Sequence, residues 1–240
     1  MNLGIAGRTA LVVGAGSTIG TEIARELWSE GCRVISIDRT AEDSENVRRI
    51  SIRCDLMPEG EPERIAQYIK VRHGTPDIIV HVIGGSQGIT NMLAPSSDWA
   101  KVWRLNLGIA HDLNRAFLPS MQAAKWGRIV HISSNTTRIG SGYGPYSSAK
   151  AALDGYVKII SKEVSKDGVI VTAVAPGIVH TPGRYYASLD SKQADEYFAK
   201  YIPIQRWGRA EEIAKVIAFL SSDHASYMAG SIVQVDGGAR

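Results

Sequence analysis

The sequence predicts an α/β protein: a Rossmann-type doubly wound parallel sheet of about seven strands with helices on both faces. Three observations predict it. Short apolar runs of strand length alternate with longer amphipathic stretches along the whole chain. The runs are almost continuously apolar, as strands covered on both faces are. The first run leads straight into a glycine-rich turn that opens a helix pattern.

Taken in order, the strand candidates are Thr9–Val13, Arg33–Ile37, Ile50–Cys54, Ile78–Ile83, Arg128–Ile132, Val169–Ala173 and Ser231–Val235. Helix patterns lie between them near Ile19–Glu30, Glu61–His73, Asp98–Lys125, Tyr146–Lys166 and Glu211–Ser221. Parallel neighbours joined this way take right-handed crossovers. No repeat, low-complexity tract or Pro/Gly linker divides the chain, so residues 1–240 are expected to form a single domain. Residues 183–203 have no strand or helix slot in the alternation. They carry several tyrosines and Phe198, and are expected to form a helical lid over a substrate pocket.

Composition narrows the function classes. Hydrophobic residues make up 44% and charged residues 21%, an ordinary globular balance. The formal charge of +3, from 27 basic and 24 acidic residues, is too small to argue for a nucleic-acid or membrane partner. Cys32 and Cys54 sit beside apolar runs and lack metal-ligand spacing, so buried free thiols and no metal are expected. There is no signal-type apolar segment at the N-terminus and no apolar run of membrane length, so a cytoplasmic location is expected.

The first turn reads Gly14-Ala-Gly16-Ser17-Thr18-Ile19-Gly20. Glycines permit a tight turn and close approach of backbone to phosphate, and the helix start offers free N–H groups to an anion. The second strand ends at Asp38, whose carboxylate suits ribose hydroxyls and repels a 2′-phosphate. That favours NAD. Arg39 beside it is a group able to pair with a 2′-phosphate, so NADP stays open. Asp55 is either an acceptor for an adenine amino group or a turn residue. Gly84-Gly85 lets a sugar approach the backbone or makes a tight loop. His81 is expected to be a packed core histidine.

Ser133-Ser134 closes the fifth strand, where ligands of doubly wound sheets lie. Tyr146 and Lys150 are four residues apart, on one face of a helix. An ammonium one turn from a phenol favours the phenolate and draws the phenol toward use as a general acid/base. Asn106 is a further polar residue inside a long helix pattern, either functional or a mid-helix bend.

In this order and spacing the glycine turn, Asp38, Asp55-Leu56, Asn106, Ser134, Tyr146/Lys150, Pro176-Gly177 with Thr181, and Val235-Asp236-Gly237-Gly238 resemble the short-chain dehydrogenase/reductase family over essentially the whole chain. The resemblance implies that Tyr146 exchanges the proton at a substrate oxygen. Lys150 would lower the Tyr146 pKa and bind the nicotinamide ribose. Ser134 would hold the oxyanion, and Asn106 a relay water. It implies cofactor contacts at Gly14, Gly16, Ser17, Thr18, Ile19, Asp38, Arg39, Asp55, Leu56 and Gly84, and at Tyr146 and Lys150. Pro176, Gly177, Val179 and Thr181 would hold the nicotinamide end. The implied partner is a small alcohol or ketone, and the implied assembly a homotetramer or dimer.

The chain departs from the family pattern at three places. Val13 and Thr18 stand where Thr and Gly are usual, and His81-Val82-Ile83-Gly84 stands for Asn-Asn-Ala-Gly, removing amides that tie the sheet centre together. A short Ser–Tyr loop leaves Ser133 as a rival to Ser134. The loops Ser86–Ser97, Asn135–Pro145 and Gly183–Tyr201 carry few fixed charges, which suggests a neutral, partly apolar substrate. Two other functions fit the same pattern: a non-catalytic cofactor-binding regulator, and an NADPH-dependent 3-oxoacyl-carrier-protein reductase using Lys101, Arg104, Arg115 and Arg138 as a docking patch.

Overall fold

The computed structural model describes residues 2–46, 48–140, 142–183 and 185–239. Its strands are β1 (Thr9–Val13), β2 (Arg33–Asp38), β3 (Ser44–Glu45), β4 (Arg49–Arg53), β5 (Ile78–His81), β6 (Gly127–Ile132), β7 (Val169–Pro176) and β8 (Ile232–Val235). Among the described residues these eight form one sheet in the order β3-β4-β2-β1-β5-β6-β7-β8. The extra strand beyond the expected seven is β3, a two-residue antiparallel edge on β4. It is too short and too polar to leave a strand signal in the sequence. The other pairings are parallel.

The central strands β1, β5, β6 and β7 are buried along nearly their whole length because each face is covered. In β1, Leu11 and Val13 join a cluster with Phe117, Leu113 and Val157, whereas Ala10 and Val12 join one with Ile23, Leu27 and Ile217 on the opposite face. The first face is covered by α2 (Glu61–His73), α4 (Ile109–Ala123) and α6 (Gly144–Val164); the second by α1 (Thr18–Ser29) and α8 (Ala210–Leu220). Full burial of one such Ile, Val or Leu contributes about 1.5–3 kcal/mol, so the two faces dominate the stability.

The strand order reverses between β1 and β5, which opens a crevice at their carboxyl ends. Register levels those ends. Val13 pairs with Ile37 and with His81, His81 with His131, and Ile132 with Val174. Gly14, Val82 and Ser133 therefore leave the sheet along one edge, level with Asp38 at the end of β2 and Ala175 near the end of β7.

The long helix pattern Asp98–Lys125 is not one helix. It divides into α3 (Ser96–Trp103), a π-turn over Arg104–Gly108 and α4. The cause is Asn106. Its Nδ2 donates to the Val102 carbonyl, 2.8 Å away, competing with the backbone for that acceptor and widening the ladder. The structure also adds a four-residue helix the sequence pattern did not show, α5 (Thr136–Ile139), ended by Gly140 at φ 63°.

Candidate active site

The glycine turn forms as the sequence requires. Gly14 has φ 89°, and a Cβ there would lie 2.8 Å from the Ile83 nitrogen. A Cβ on Gly20 would lie 2.2 Å from the Gly14 carbonyl oxygen. Ser17 caps α1, its hydroxyl accepting from the Gly20 N–H at 3.0 Å. Thr18 opens α1 and is not among the positive-φ residues, so its Cβ imposes no backbone strain in place of the usual glycine.

A cleft of about 450 Å³ lies over this turn, walled by Gly14, Gly16, Ser17, Asp38, Arg39, Asp55, Leu56, Met57 and Gly84–Gly88 among others. Thr18 and Ile19 follow at the helix start. Asp38 Oδ2 accepts from the Gly16 N–H at 3.0 Å, and its Oδ1 accepts from the Thr40 N–H and hydroxyl. Partial burial works to raise the pKa of this carboxyl. Hydrogen bonds from Thr40 and Gly16 outweigh burial and hold it below the ordinary value. A Cβ on Gly16 would meet this carboxylate at 2.7 Å. Asp55 is exposed and accepts from the Met57 N–H at 3.0 Å, a turn residue that also lines the cleft.

The polar centre adjoins the cleft at Gly84. A Cβ built there would lie 2.7 Å from Asn106 Oδ1 and 2.9 Å from Lys150 Nζ. Both polar groups thus converge at the one position of His81–Gly84 that keeps the usual glycine. Asn106 exchanges two hydrogen bonds with Gly85: Oδ1 accepts from its N–H at 3.0 Å, and Nδ2 donates to its carbonyl at 2.8 Å. These bonds tie the loop after β5 to the π-turn. Deeper in, His81 Nε2 meets Asn114 Oδ1 at 2.9 Å, and His81 stacks on His131 with centroids 4.7 Å apart. His81 is the packed core histidine expected. Burial lowers its pKa to about 4, and burial with the nearby His81 and Lys150 lowers that of His131 well below the ordinary range.

Tyr146 lies in the first turn of α6 and Lys150 one turn on, its Nζ 5.8 Å from the Tyr146 ring centroid. Lys150 is 2% exposed and donates to the Ile132 carbonyl at 2.6 Å. Burial lowers its pKa from 10.5 to about 8, opposed by the Asp154 carboxylate. The two serines are sorted by their partners. Ser133 Oγ donates to Asp154 Oδ1 at 2.5 Å, while Ser134 Oγ accepts from the Thr136 hydroxyl at 3.1 Å and backbone N–H at 3.3 Å.

Tyr146, Lys150, Pro176, Gly177, Val179 and Thr181 do not line the cleft. Pro176 ends β7, Gly177 N–H donates to the Val235 carbonyl, and the Thr181 hydroxyl donates to that of Val179. The expected lid contains a 3₁₀ turn at Tyr185–Ser188 and the helix α7 (Ser191–Tyr201), started by an Asp190/Gln193 capping box. Tyr197 packs on Tyr186 at 5.4 Å and Tyr201 at 4.8 Å, and Phe198 packs on Trp207 at 4.5 Å. Ser141, Arg184 and the Tyr185 side chain lie outside the described residues.

The basic residues considered for a docking patch are each paired: Lys101 with Asp98, Arg104 with Asp112, Arg115 with Glu63 and Arg138 with Asp236. Both cysteines are buried and free. Among the described residues no group of three metal-ligating side chains comes together, and no helix is long and apolar enough to cross a membrane. Sequence reasoning missed Asp154, Thr136 and Trp207. Asp154 was findable, since it stands one helical turn beyond Lys150.

A dinucleotide fits these residues. The cleft follows the glycine turn, and side chains at Gly16 or Gly84 would collide with Asp38 or with the Asn106–Lys150 pair. A family model described as enoyl-(acyl carrier protein) reductase matches residues 14–240. The 3-oxoacyl-(acyl-carrier-protein) reductase FabG of Pseudomonas aeruginosa is 32% identical over 246 residues, covering 98% of each chain. That of Escherichia coli K12 is 31% identical, covering 97% of each. Among solved structures, L-sorbose reductase of Gluconobacter frateurii, complexed with NADPH and L-sorbose, superposes with a TM-score of 0.85 at 27% identity, covering 99% of this chain and 98% of that one. Pseudomonas aeruginosa RhlG, as an NADP active-site complex, gives 0.87 at 30% identity, covering 98% and 96%.

Proposed function

The chain belongs to the short-chain dehydrogenase/reductase family of oxidoreductases, and on that premise we propose that it interconverts a secondary alcohol and a ketone with Tyr146 as general acid/base. One observation carries the reading: the buried Lys150 ammonium beside the Tyr146 ring, held at the cleft edge with Asn106. Gly14, Gly16, Ser17 and the start of α1 would hold a pyrophosphate, Asp38 the adenosine ribose, and Pro176, Gly177, Val179 and Thr181 the nicotinamide end. When bound, a nicotinamide dinucleotide supplies the hydride donor or acceptor.

The side chains do the rest. In reduction Tyr146 gives its phenolic proton to the substrate oxygen; in oxidation it takes one. The Lys150 ammonium favours the phenolate and restores the proton through a relay water that Asn106 would hold. Ser134 holds the oxygen on which charge develops. Ser133 is committed to Asp154 and leaves that task to Ser134. The aromatic lid, residues 183–203, excludes water and supports a neutral, partly apolar substrate. The exposed Trp103 and Ile159 support pairing of copies through their helices.

Asp38 supports NAD, since its carboxylate repels a 2′-phosphate. NADP is the second cofactor reading, supported by the NADPH and NADP in the two solved relatives. A second substrate reading, reduction of a 3-oxoacyl group on an acyl carrier protein, is supported by the FabG relatives. The self-paired basic residues lend it no docking patch.

The test is turnover of a panel of ketones, alcohols and 3-oxoacyl thioesters with NADH and NADPH, beside Tyr146→Phe. Tyr146→Phe is expected to lose roughly 10²–10⁴-fold in kcat, the size of a general acid/base contribution, while binding cofactor normally. Undiminished turnover in Tyr146→Phe would sink the mechanism. Cofactor binding without turnover of any substrate would instead make the chain a regulator.

A further inference from the structure

The end of β6 grips α6 at two points one helical turn apart. The Ile132 carbonyl accepts from Lys150 Nζ at 2.6 Å, and the next residue, Ser133, donates its hydroxyl to Asp154 Oδ1 at 2.5 Å. Ser133 is 2% exposed, and its single hydroxyl hydrogen is committed to this carboxylate. Lys150 and Asp154 stand at i and i+4, so their side chains lie along the same stripe of the helix. The proton-transfer chemistry proposed above makes no use of Asp154.

The groups around the Lys150 amine come from several elements. His131 of β6 and, stacked on it, His81 of β5 are buried and kept neutral at pH 7. Asn106 approaches from the π-turn. Tyr146 and Asp154 stand on the same helix as Lys150. Among these described groups Asp154 is the one carboxylate. Desolvation favours the neutral amine, and the uncharged imidazoles offer it no compensation.

We propose that Asp154 is a positioning residue for Lys150: its carboxylate, tethered by Ser133, keeps the amine charged and seated against the end of β6. The proposal rests on the reading of Lys150 as the partner of Tyr146, and it concerns the charge of Lys150 whatever substrate is used. The tether matters because a carboxylate free to turn to solvent would be screened from the amine.

The experiment follows the ¹³Cε resonance of Lys150 against pH in the full chain, assigned by its loss in Lys150→Met. In Asp154→Asn the midpoint is expected to fall by about one pH unit, the effect of removing one nearby opposite charge. Asp154→Glu is expected to restore it, and Ser133→Ala to move it the same way by less. The alkaline limb of kcat for ketone reduction is expected to move to lower pH in parallel, with turnover near pH 6 within two-fold of wild type. A residue that only stabilised the fold would lower the unfolding midpoint and leave both titrations in place; that result overturns the proposal. If Asp154→Asn does not fold, Ser133→Ala decides, and an unmoved Lys150 midpoint there overturns it equally. A shifted Lys150 midpoint in a protein that turns over no alcohol or ketone upholds the role of Asp154 and defeats the reaction.

Discussion

Lys150 holds a charge where its surroundings disfavour one. The displacement of its pKa from 10.5 to about 8 corresponds to roughly 3 kcal/mol of penalty on the charged form. Below pH 8 the amine is charged in both folded and unfolded chains, so the folded state bears the whole penalty. Between pH 8 and 10.5 the folded chain sheds the proton first and the penalty disappears. Lys150→Met is therefore expected to raise the urea midpoint at pH 7, to lose that advantage as pH rises through 8 to 10.5, and to abolish turnover. Paired melts at pH 7 and pH 10.5 check it; a variant less stable at pH 7 than at pH 10.5, relative to wild type, would contradict the assignment. The same residue shows what is legible one residue at a time. Its spacing from Tyr146 is written in the sequence, since a helix fixes what lies four residues on. Its burial, its bond to the Ile132 carbonyl and its proximity to Gly84 depend on how β6 and the loop after β5 meet α6, which no local pattern encodes.

At the scale of elements, the glycine turn and the long helix pattern make opposite points. Gly20 sits inside the first turn of α1, where replacing a glycine by alanine ordinarily gains up to about 1 kcal/mol of helix propensity. Here the added Cβ would stand 2.2 Å from the Gly14 carbonyl oxygen. Gly20→Ala is expected to destabilise the chain, by about 2 kcal/mol or more as close packing is forced apart, and to weaken cofactor binding because the turn itself must open. Denaturant melts and fluorescence titration with NADH measure both; a stabilised Gly20→Ala would mean the turn is built otherwise. The turn was legible because glycine is the only residue that makes such approaches. The helix from Asp98 onward was not, because its apolar periodicity runs on through Arg104–Gly108 while the Asn106 amide takes a carbonyl from the ladder. The strand candidates agreed with the sheet for a related reason. Unbroken apolar runs arise only where both faces are covered, whereas the polar pair Ser44–Glu45 at the edge gives no such signal.

For the whole molecule, the crevice at the point of strand reversal is where the two halves of the sheet meet, so a ligand there contacts β1 and β2 on one side and the loop after β5 on the other. Saturation with cofactor at a hundred times its dissociation constant is expected to stabilise the chain by about 2.7 kcal/mol, or roughly 5–10 °C in thermal midpoint. Scanning calorimetry with NAD and NADP in turn reads both the site and its preference, and an unchanged midpoint with each would remove the cleft from consideration. The segment that carries α7 is joined to this body in a particular way. Val179 and Gly208 form an isolated parallel bridge, with the His180 N–H donating to the Gly208 carbonyl at 2.8 Å and the Gly208 N–H donating to that of Ile178 at 3.0 Å. The excursion from 180 to 207 thus leaves and re-enters the molecule at one hydrogen-bonded stem. With its ends already fixed together, further lengthening costs only a slowly growing loop entropy, about 0.6 kcal/mol for a doubling. The segment that carries α7 is in effect a cassette: it is expected to tolerate lengthening, shortening or replacement while the sheet, the glycine turn and the Tyr146–Lys150 helix keep their places.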